Sequence, residues 1–395
     1  MTATRGLESL LTTKEVVICC GSGGVGKTTT AAAAATMAAV HSGLKVLVVT
    51  VDPAKRLANA LGMERFGNTE TQVPAEAFAE AGLQPAGELW AAMLDTKQSW
   101  DDLIRQHAPD EETREAILSN ALYRNISGRF VQSHDYVAME RLYQIHQSGR
   151  YDLIVVDTPP TRNAVDFLDA PQRMAEFFSS RLLRWLIAPY RSRLINVASK
   201  PFYSVADRIL GTKFLQDISE FFILFQSMYD GFVERSKAVS QLLASSATTF
   251  VVVSTLESAP ASEAAFFIEN LIAREYSVGG LVLNKALPAW LDDRASTDLA
   301  RSISVDADEA RRVVTGLGAM QSADAAEVDR ATTMLTELGA NYLRYQVVAA
   351  RESKEAKVLS SNVERTVSIP FFADDIGDLA GLARLGERLW NPKVS

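Results

Sequence analysis

The sequence predicts an α/β fold with a mostly parallel, doubly wound sheet, because short apolar strands alternate with helices along the chain. Six segments have the apolar composition of buried strands: residues 15–20, 45–51, 151–157, 249–255, 280–284 and 367–372. Helical spacing fills the regions between them. Since sheet segments recur from one end of the chain to the other, we expect one domain over residues 1–395. It carries helical insertions at about 58–150 and 171–245.

The loop between the first strand and the first helix carries the clearest chemical signal. Residues 21–28 read Gly-Ser-Gly-Gly-Val-Gly-Lys-Thr and fit the pattern G-x-x-x-x-G-K-[ST] at every defined position. A glycine loop before a helix N-terminus forms a cradle for phosphate, which predicts a P-loop NTPase. Lys27 would reach the β- and γ-phosphates, and the Thr28 hydroxyl would bind Mg²⁺. The predicted nucleotide contacts are Gly21, Ser22, Gly23, Gly24, Val25, Gly26, Lys27, Thr28 and Thr29.

Composition narrows the class of protein further. The chain has 395 residues, of which 47% are hydrophobic and 22% charged, as in ordinary globular proteins with ample core. The formal net charge of −8 argues against bulk nucleic-acid binding, which needs a basic surface. The N-terminal residues lack the apolar segment of a signal peptide, and no apolar stretch approaches a membrane span. We therefore expect a cytoplasmic protein.

The cysteines and histidines do not predict a metal site. Cys19 and Cys20 are adjacent in a predicted strand, so their side chains point to opposite faces and chelate poorly. The sequence contains no C-x-x-C motif, and its four histidines are scattered without metal-ligand spacing. The sequence thus predicts neither a zinc site nor a structural disulfide.

Two acidic residues follow predicted strands at the edge where ligands of open α/β sheets bind. Asp52 comes directly after residues 45–51, where its carboxylate could orient an attacking water. The alternative is a helix N-cap, because Pro53 occupies the first helical position. Asp157 ends the strand at 151–157 and could act as a Mg²⁺ ligand, with a simple cap again as the alternative.

Several separate segments together resemble one family. They are the glycine loop at 21–29, then Asp52-Pro-Ala, then Asp157-Thr-Pro-Pro-Thr161, in that order. The combination is similar to the arsenite-pump and tail-anchored-protein-targeting ATPases, which belong to the dimeric P-loop NTPases that include the MinD and ParA proteins. The resemblance implies a Mg²⁺-dependent ATPase acting as a nucleotide-gated dimer, with Asp52 as the catalytic residue of the first switch loop.

The same resemblance implies where the adenine lies. Asn284 matches the asparagine that reads adenine, and a side-chain amide offers both a donor and an acceptor to the base. A lone asparagine at a strand end is otherwise more often a turn residue. Pro370 and Phe371 match the loop that flanks adenine, although an ordinary strand end has the same composition.

The chain departs from the family pattern in ways that affect function. Ser22 stands where the family has a lysine that reaches the partner's phosphates, and the second switch reads Arg162-Asn163 in place of Gly-His. The cysteines of zinc-bridged members and the metalloid-binding triad are missing. One alternative is therefore an ATP-binding pseudo-ATPase subunit, paired with a paralogue that carries the lysine. Another is a MinD/ParA-like positioning ATPase, for which residues 389–395 form too short a tail.

An apolar stripe in the second insertion suggests a partner surface. Its members recur at three- and four-residue spacing: Phe214, Ile218, Phe221, Phe225, Met228 and Phe232. In targeting members of the family this region binds hydrophobic client helices. Alternatively, the stripe packs the helical region or a dimer contact. A third possibility is that the basic, aromatic segment before it touches a membrane surface without spanning it.

Overall fold

A computed structural model shows how these segments assemble. It describes residues 6–51, 56–63, 67–94, 96–120, 123–124, 131–158, 169–170, 172–173, 176, 220–320 and 323–392. Asp52 and the second switch at 159–168 lie outside the described residues, as do most of the insertion at 171–245 and the stripe residues Phe214 and Ile218.

The described strands form one eight-stranded sheet in the order β3-β4-β2-β5-β1-β6-β7-β8. Neighbouring strands are parallel, except that β3 runs antiparallel to β4 at the edge. The predicted mostly parallel sheet is confirmed. The strands are β1 Val16–Cys20, β2 Lys45–Thr50, β3 Thr71–Gln72, β4 Glu88–Met93, β5 Leu153–Asp157, β6 Thr248–Ser254, β7 Val278–Ala286 and β8 Thr366–Pro370.

Helices connect the strands and cover the sheet. In chain order they are α1 Glu8–Thr13, α2 Lys27–His41, α3 Arg56–Ala60, α4 Ala75–Glu80, α5 Thr96–His107, α6 Glu111–Ser119, α7 Val131–Gln147, α8 Tyr229–Ala244, α9 Ser258–Ala273, α10 Arg294–Val305, α11 Ala307–Gly316, α12 Ala325–Ser360 and α13 Leu379–Trp390. Residues 220–226 are also helical, and Ala289–Asp292 and Gly318–Met320 form short 3₁₀ turns.

The sheet is buried on both faces, as alternation of side chains along each strand requires. Val17 and Cys19 of β1 pack in a layer with α1, α2, α3, α4 and α13. Val16 and Ile18 point the other way, into a layer with α7, α8, α9 and the C-terminal end of α12. This arrangement confirms the doubly wound α/β fold and leaves the carboxyl ends of the central strands as the open edge.

The prediction of a helical insertion at about 58–150 is wrong in part, because this stretch also contains strands. Strand β4 lies within this stretch and pairs in parallel with β2 along its whole length, while β3 extends the edge. The apolar run from Leu89 to Met93 is short and rich in alanine, so it has no strand-specific composition by itself. Its pairing with β2, more than forty positions away, decides the conformation.

The apolar stripe of the second insertion is core wherever the structure describes it. Phe221, Phe225 and Met228 are 5%, 3% and 3% exposed, and Phe232 is fully buried. They pack with residues of α5 and α7, including Trp100 and Tyr136, in a third apolar cluster beside the main sheet. Among the alternatives for these four side chains, packing of the helical region is therefore the correct one.

Candidate nucleotide site

The glycine loop is shaped by backbone conformations that other residues rarely adopt. Gly26 has φ 95° and immediately precedes α2. A Cβ placed there would lie 2.3 Å from Nδ2 of Asn284, well inside van der Waals contact. Glycine is required at this position both by its backbone angle and by the neighbouring side chain. The loop therefore closes against the end of β7 as it enters the helix.

Lys27 begins α2 and is held inside the loop. Its side chain is only 6% exposed, and Nζ donates a hydrogen bond of 2.9 Å to the carbonyl oxygen of Ser22. A nearly buried ammonium group beside a helix N-terminus creates a strongly positive site. This geometry suits the phosphates of a nucleotide, as the sequence motif predicts.

Asp157 is joined to the loop by the Thr28 hydroxyl. Thr28 Oγ1 donates to Asp157 Oδ2 at 2.7 Å, and Thr50 Oγ1 donates to the same oxygen at 2.9 Å. These residues meet because β1, β2 and β5 are parallel neighbours whose carboxyl ends coincide. Thr28 and Asp157, each predicted as a magnesium ligand, are thus in hydrogen-bond contact, and their binding of the ion stays a prediction.

The oxygen donors at this point fit a magnesium ion. Hydroxyl and carboxylate oxygens are ligands that Mg²⁺ prefers, and in nucleotide enzymes the ion takes its other ligands from phosphates and water. Within the described ranges, no group of three or more His, Cys, Asp or Glu side chains is placed to hold a metal. A magnesium ion at Thr28 and Asp157 would therefore depend on the bound nucleotide for the rest of its coordination.

The two cysteines lie directly beneath the loop, and both are free and buried. Burial raises the pKa of the Cys19 thiol, nearby Asp157 raises it further, and Lys27 lowers it. Burial likewise raises the pKa of Cys20 well above its usual value. Both thiols stay protonated at neutral pH, so this region offers no thiolate for metal binding or nucleophilic attack.

Asn284 has a structural contact that the sequence did not predict. Its Nδ2 donates to the carbonyl oxygen of Val25 at 2.8 Å, and its Oδ1 accepts from the backbone N–H of Lys285. Lys285 itself has a φ of 57°, which turns the chain sharply at the end of β7. The amide therefore ties β7 to the glycine loop. Its role in reading adenine stays a prediction.

Eight of the predicted site residues line a cavity of about 840 Å³, a volume within the range of small-molecule sites. The lining does not include Gly21, Ser22, Gly23, Val25 or Asp157. The loop, the start of α2, Asn284 and the end of β8 all contribute to it. The lining includes Gly24, Gly26, Lys27, Thr28, Thr29, Asn284, Pro370 and Phe371. Segments that lie more than three hundred positions apart in sequence thus converge on one pocket.

Sequence reasoning missed the remaining wall of this cavity. Asn59 and Leu57 of α3 line one side, and Asp374 and Asp375 belong to the loop that follows β8. The acidic pair directly after a predicted strand was the available signal, because strand ends at the open edge supply ligand contacts in such sheets. Phe371 stands at the rim with 67% of its surface exposed.

Ser22 occupies the position at which the family pattern has a lysine. Its Oγ is buried and has no hydrogen-bond partner among the described residues, while its carbonyl oxygen accepts from Lys27. The serine side chain is short and uncharged, so it cannot supply a positive charge to a partner subunit as a lysine could. The departure from the family pattern is therefore a real chemical difference at the site.

A strand, a glycine loop with a buried lysine, a helix N-terminus and a hydroxyl–carboxylate pair together define a P-loop NTPase. Residues 14–303 match the profile of the family described as anion-transporting ATPase. The chain belongs to this family and is an ATPase. It is also 24% identical over 250 residues to a protein of Entamoeba dispar described as an ATPase ASNA1 homolog, covering 62% of this chain and 67% of that one. No helix in the described ranges is long and apolar enough to cross a membrane.

Proposed function

We propose that the chain hydrolyses ATP with the help of Mg²⁺ and works in a nucleotide-gated dimer. The observation that carries this proposal is the hydrogen bond from Thr28 to Asp157, because Thr28 and its neighbour Lys27 both line the cavity. Lys27 and the loop amides would bind the phosphates. Thr28 and Asp157 would hold the magnesium ion, which supplies positive charge to the phosphoryl group when bound.

The remaining roles follow from the pattern of the family. Asp52 would orient the attacking water, and Asn284, Pro370 and Phe371 would contact the adenine. Their support is the position of the last three on the cavity wall and of Asp52 two residues after the end of β2 in sequence. Handling of a hydrophobic client helix has no support from Phe221, Phe225 or Met228, because these side chains are buried.

The magnesium ligands can be tested by the metal dependence of turnover. Asp157→Asn and Thr28→Ala should raise the Mg²⁺ concentration for half-maximal ATPase activity, on the order of 10- to 100-fold. The matched control is Thr36→Ala, because Thr36 is a buried threonine of the same helix whose hydroxyl bonds only to the preceding turn. An unchanged magnesium dependence in both site variants would show that these residues do not hold the ion.

Ser22 favours a second arrangement, in which this chain binds ATP in a heterodimer with a lysine-bearing paralogue. A cation supplied across a subunit interface is worth about 10³–10⁵ in rate in analogous phosphoryl-transfer enzymes. A homodimer of this chain would lack that cation at both sites unless Arg162 supplied it. In a heterodimer, the partner's lysine would complete the site that this chain holds.

Steady-state ATPase measurements separate these arrangements. The isolated chain should turn over slowly, and turnover should rise sharply when the paralogue is added and partly in the Ser22→Lys variant. Arg162→Ala in the isolated chain serves as the control for rescue by the second switch. Fast hydrolysis by the pure chain that survives Arg162→Ala would rule out the need for a partner lysine.

A further inference from the structure

The end of β7 is held from two sides by hydrogen bonds to distant parts of the chain. Asn284 is 7% exposed, and its Nδ2 donates to the carbonyl oxygen of Val25 in the glycine loop at 2.8 Å. Three residues further along, the backbone N–H of Leu287 donates to Glu352 Oε2 of α12 at 3.1 Å. These bonds form a path of contacts from α12, through the end of β7, to the glycine loop.

The bond from Asn284 fixes the orientation of one peptide group in the loop. The peptide between Val25 and Gly26 is trans, so its N–H points opposite to its C=O. Because that C=O faces Asn284, the N–H of Gly26 points away from the end of β7. The backbone N–H groups of a glycine loop are its donors to phosphate. Asn284 therefore decides the direction of one such donor.

Gly26 needs this restraint because its backbone turns more easily than that of other residues. Its own carbonyl oxygen accepts from the N–H of Thr30 at 2.9 Å, which holds it in the first turn of α2. The peptide group before it is held through Val25. A glycine at φ 95° has no Cβ to resist rotation of that group. If the group turned over, the C=O of Val25 would replace the N–H and repel a phosphate.

The turn after Asn284 keeps its amide directed at the loop. The N–H of Lys285 donates to Asn284 Oδ1 at 3.0 Å, and Lys285 has a φ of 57°, a value uncommon for residues with a side chain. Such a conformation persists where the surroundings hold it. The carbonyl oxygen of Ala286 accepts from the N–H of Phe371, and Glu352 holds the residue after Ala286. A carboxylate is a strong acceptor for a backbone N–H.

We propose that Asn284 is a positioning residue for phosphate binding and that Glu352 keeps it directed at the glycine loop. The two bonds of the amide use one of its two donor hydrogens and part of its acceptor capacity, so a contact with adenine is compatible with them. Glu352 lies beyond residues 14–303, which match the family profile, so its support comes from a part of the chain outside that match. The phosphate ligand rests on the proposed function, whereas the restraint on the loop does not.

Calorimetric titration with magnesium tripolyphosphate, which has no base, tests the role of Asn284. Asn284→Ala should weaken tripolyphosphate binding on the order of tenfold, because the hydrogen bond that orients the loop is lost. Mg·ATP should lose at least as much affinity. The matched control is Thr249→Val, which removes a buried hydrogen bond to the carbonyl oxygen of Ser277 at the opposite end of β6 and β7. This control should lower stability and keep both affinities.

A conservative variant and a double-mutant cycle test the role of Glu352. Glu352→Ala should weaken tripolyphosphate binding about threefold, because one bond that supports the turn is lost. Glu352→Gln should keep the affinity, since its amide oxygen can accept the same N–H. In the presence of Asn284→Ala, Glu352→Ala should have no further effect, because it acts through Asn284. Lys354→Ala, at an exposed position of the same helix, is the control for α12.

Hydrogen exchange of the chain without ligand gives a measurement that does not depend on nucleotide binding. Asn284→Ala and Glu352→Ala should each speed exchange at the amides of residues 25–28, whereas Thr249→Val and Lys354→Ala should not. This pattern is specific to the loop, so a general loss of stability does not produce it.

The results separate this proposal from the proposed function. If Asn284→Ala weakens Mg·ATP but not tripolyphosphate, or if the loss from Glu352→Ala adds fully to that from Asn284→Ala, the positioning proposal is overturned. If the wild type hydrolyses ATP and neither alanine variant changes binding or exchange, the proposed function stands and the positioning proposal fails. If the wild type binds neither ligand while both variants speed exchange of the loop, the restraint stands and the proposed function fails.

Discussion

Two buried charges of opposite sign define the site at the residue scale. Lys27 is 6% exposed and Asp157 is 1% exposed, and they act in opposite directions on the pKa of Cys19. Burying ionised groups costs several kcal/mol each unless they are paired or hydrogen-bonded. Such clusters occur most often where a protein must bind charged ligands. In the proposed function Lys27 would bind phosphate and Asp157 would hold the metal ion, so each buried charge would have a ligand of opposite sign.

Asp52 gives the most direct test of the hydrolytic step. Asp52→Asn removes the charge that would orient the attacking water but no phosphate contact, so Mg·ATP affinity should be kept and turnover lost. Binding of a fluorescent ATP analogue and steady-state ATPase activity measure the two quantities separately. A variant that binds poorly but keeps its catalytic rate would place Asp52 in nucleotide binding instead.

The loop was predictable from sequence because its chemistry is local. Eight consecutive residues supply the glycines, the lysine and the threonine, and a strand and a helix flank them. The bond from Asn284 to Val25 joins residues 259 positions apart, so no local pattern encodes it. The same holds for Asp374 and Asp375, whose position on the cavity wall depends on where β8 lies in the sheet.

At the element scale, the third apolar cluster decides how the helical region behaves. Phe221→Ser, Phe225→Ser and Met228→Ser together should prevent folding of this region. The triple change removes buried side chains at a cost on the order of 8 kcal/mol, comparable with the whole stability of a typical domain. Thermal unfolding followed by circular dichroism measures the effect.

A matched control uses apolar residues that the structure leaves exposed. Phe266, Leu299 and Leu317 are 60%, 49% and 52% exposed, so changing all three to serine should alter stability little. If the triple variant of Phe221, Phe225 and Met228 had the same melting temperature as this control, these side chains would have to lie at the surface.

His107, at the end of α5, makes the stability of the same helical region depend on pH. Burial, and then the charge of Arg235, lowers the pKa of His107 from its usual 6.5 to about 4. Between these values the unfolded chain binds a proton that the folded chain does not, so stability should fall as the pH drops from 6.5 towards 4. His107→Gln should flatten that fall. The urea concentration at the midpoint of unfolding, measured at pH 7 and pH 5, reports this fall in stability. An equal drop of the midpoint in the wild type and in His107→Gln would show that His107 is not the group responsible.

Strands and helices were predicted correctly where the residue composition and the periodicity of apolar residues indicate the same structure. The central strands are runs of Val, Ile and Leu, and they were placed within about two residues of their observed ends. Strand β4 was missed because its sequence, Glu-Leu-Trp-Ala-Ala-Met, suits a helix as well as a strand. Pairing with β2 stabilises the extended form, and that pairing is a tertiary effect.

At the scale of the whole molecule, the candidate nucleotide pocket joins segments from both ends of the chain. Residues 24–29, the end of β7 and the loop at 371–377 line one cavity, and Glu352 connects the end of β7 to α12. Filling this cavity would bring one ligand into contact with the glycine loop, the end of β7 and the loop after β8, which lie far apart in sequence. Nucleotide binding is therefore expected to stabilise all of these segments together.

This expectation leads to a prediction for stability. Mg·ATP at about 100 times its dissociation constant should raise the free energy of unfolding by about 2.7 kcal/mol, since only the folded chain binds it. Hydrogen exchange should slow at the glycine loop, at residues 284–285 and at 371–377 together, because all three segments line the cavity. Lys27→Ala should lose both effects, whereas Lys354→Glu should keep them, because Lys354 is exposed and does not line the cavity. Equal stabilisation of the Lys27→Ala variant, or protection confined to the glycine loop, would show that the distant segments do not form one binding site.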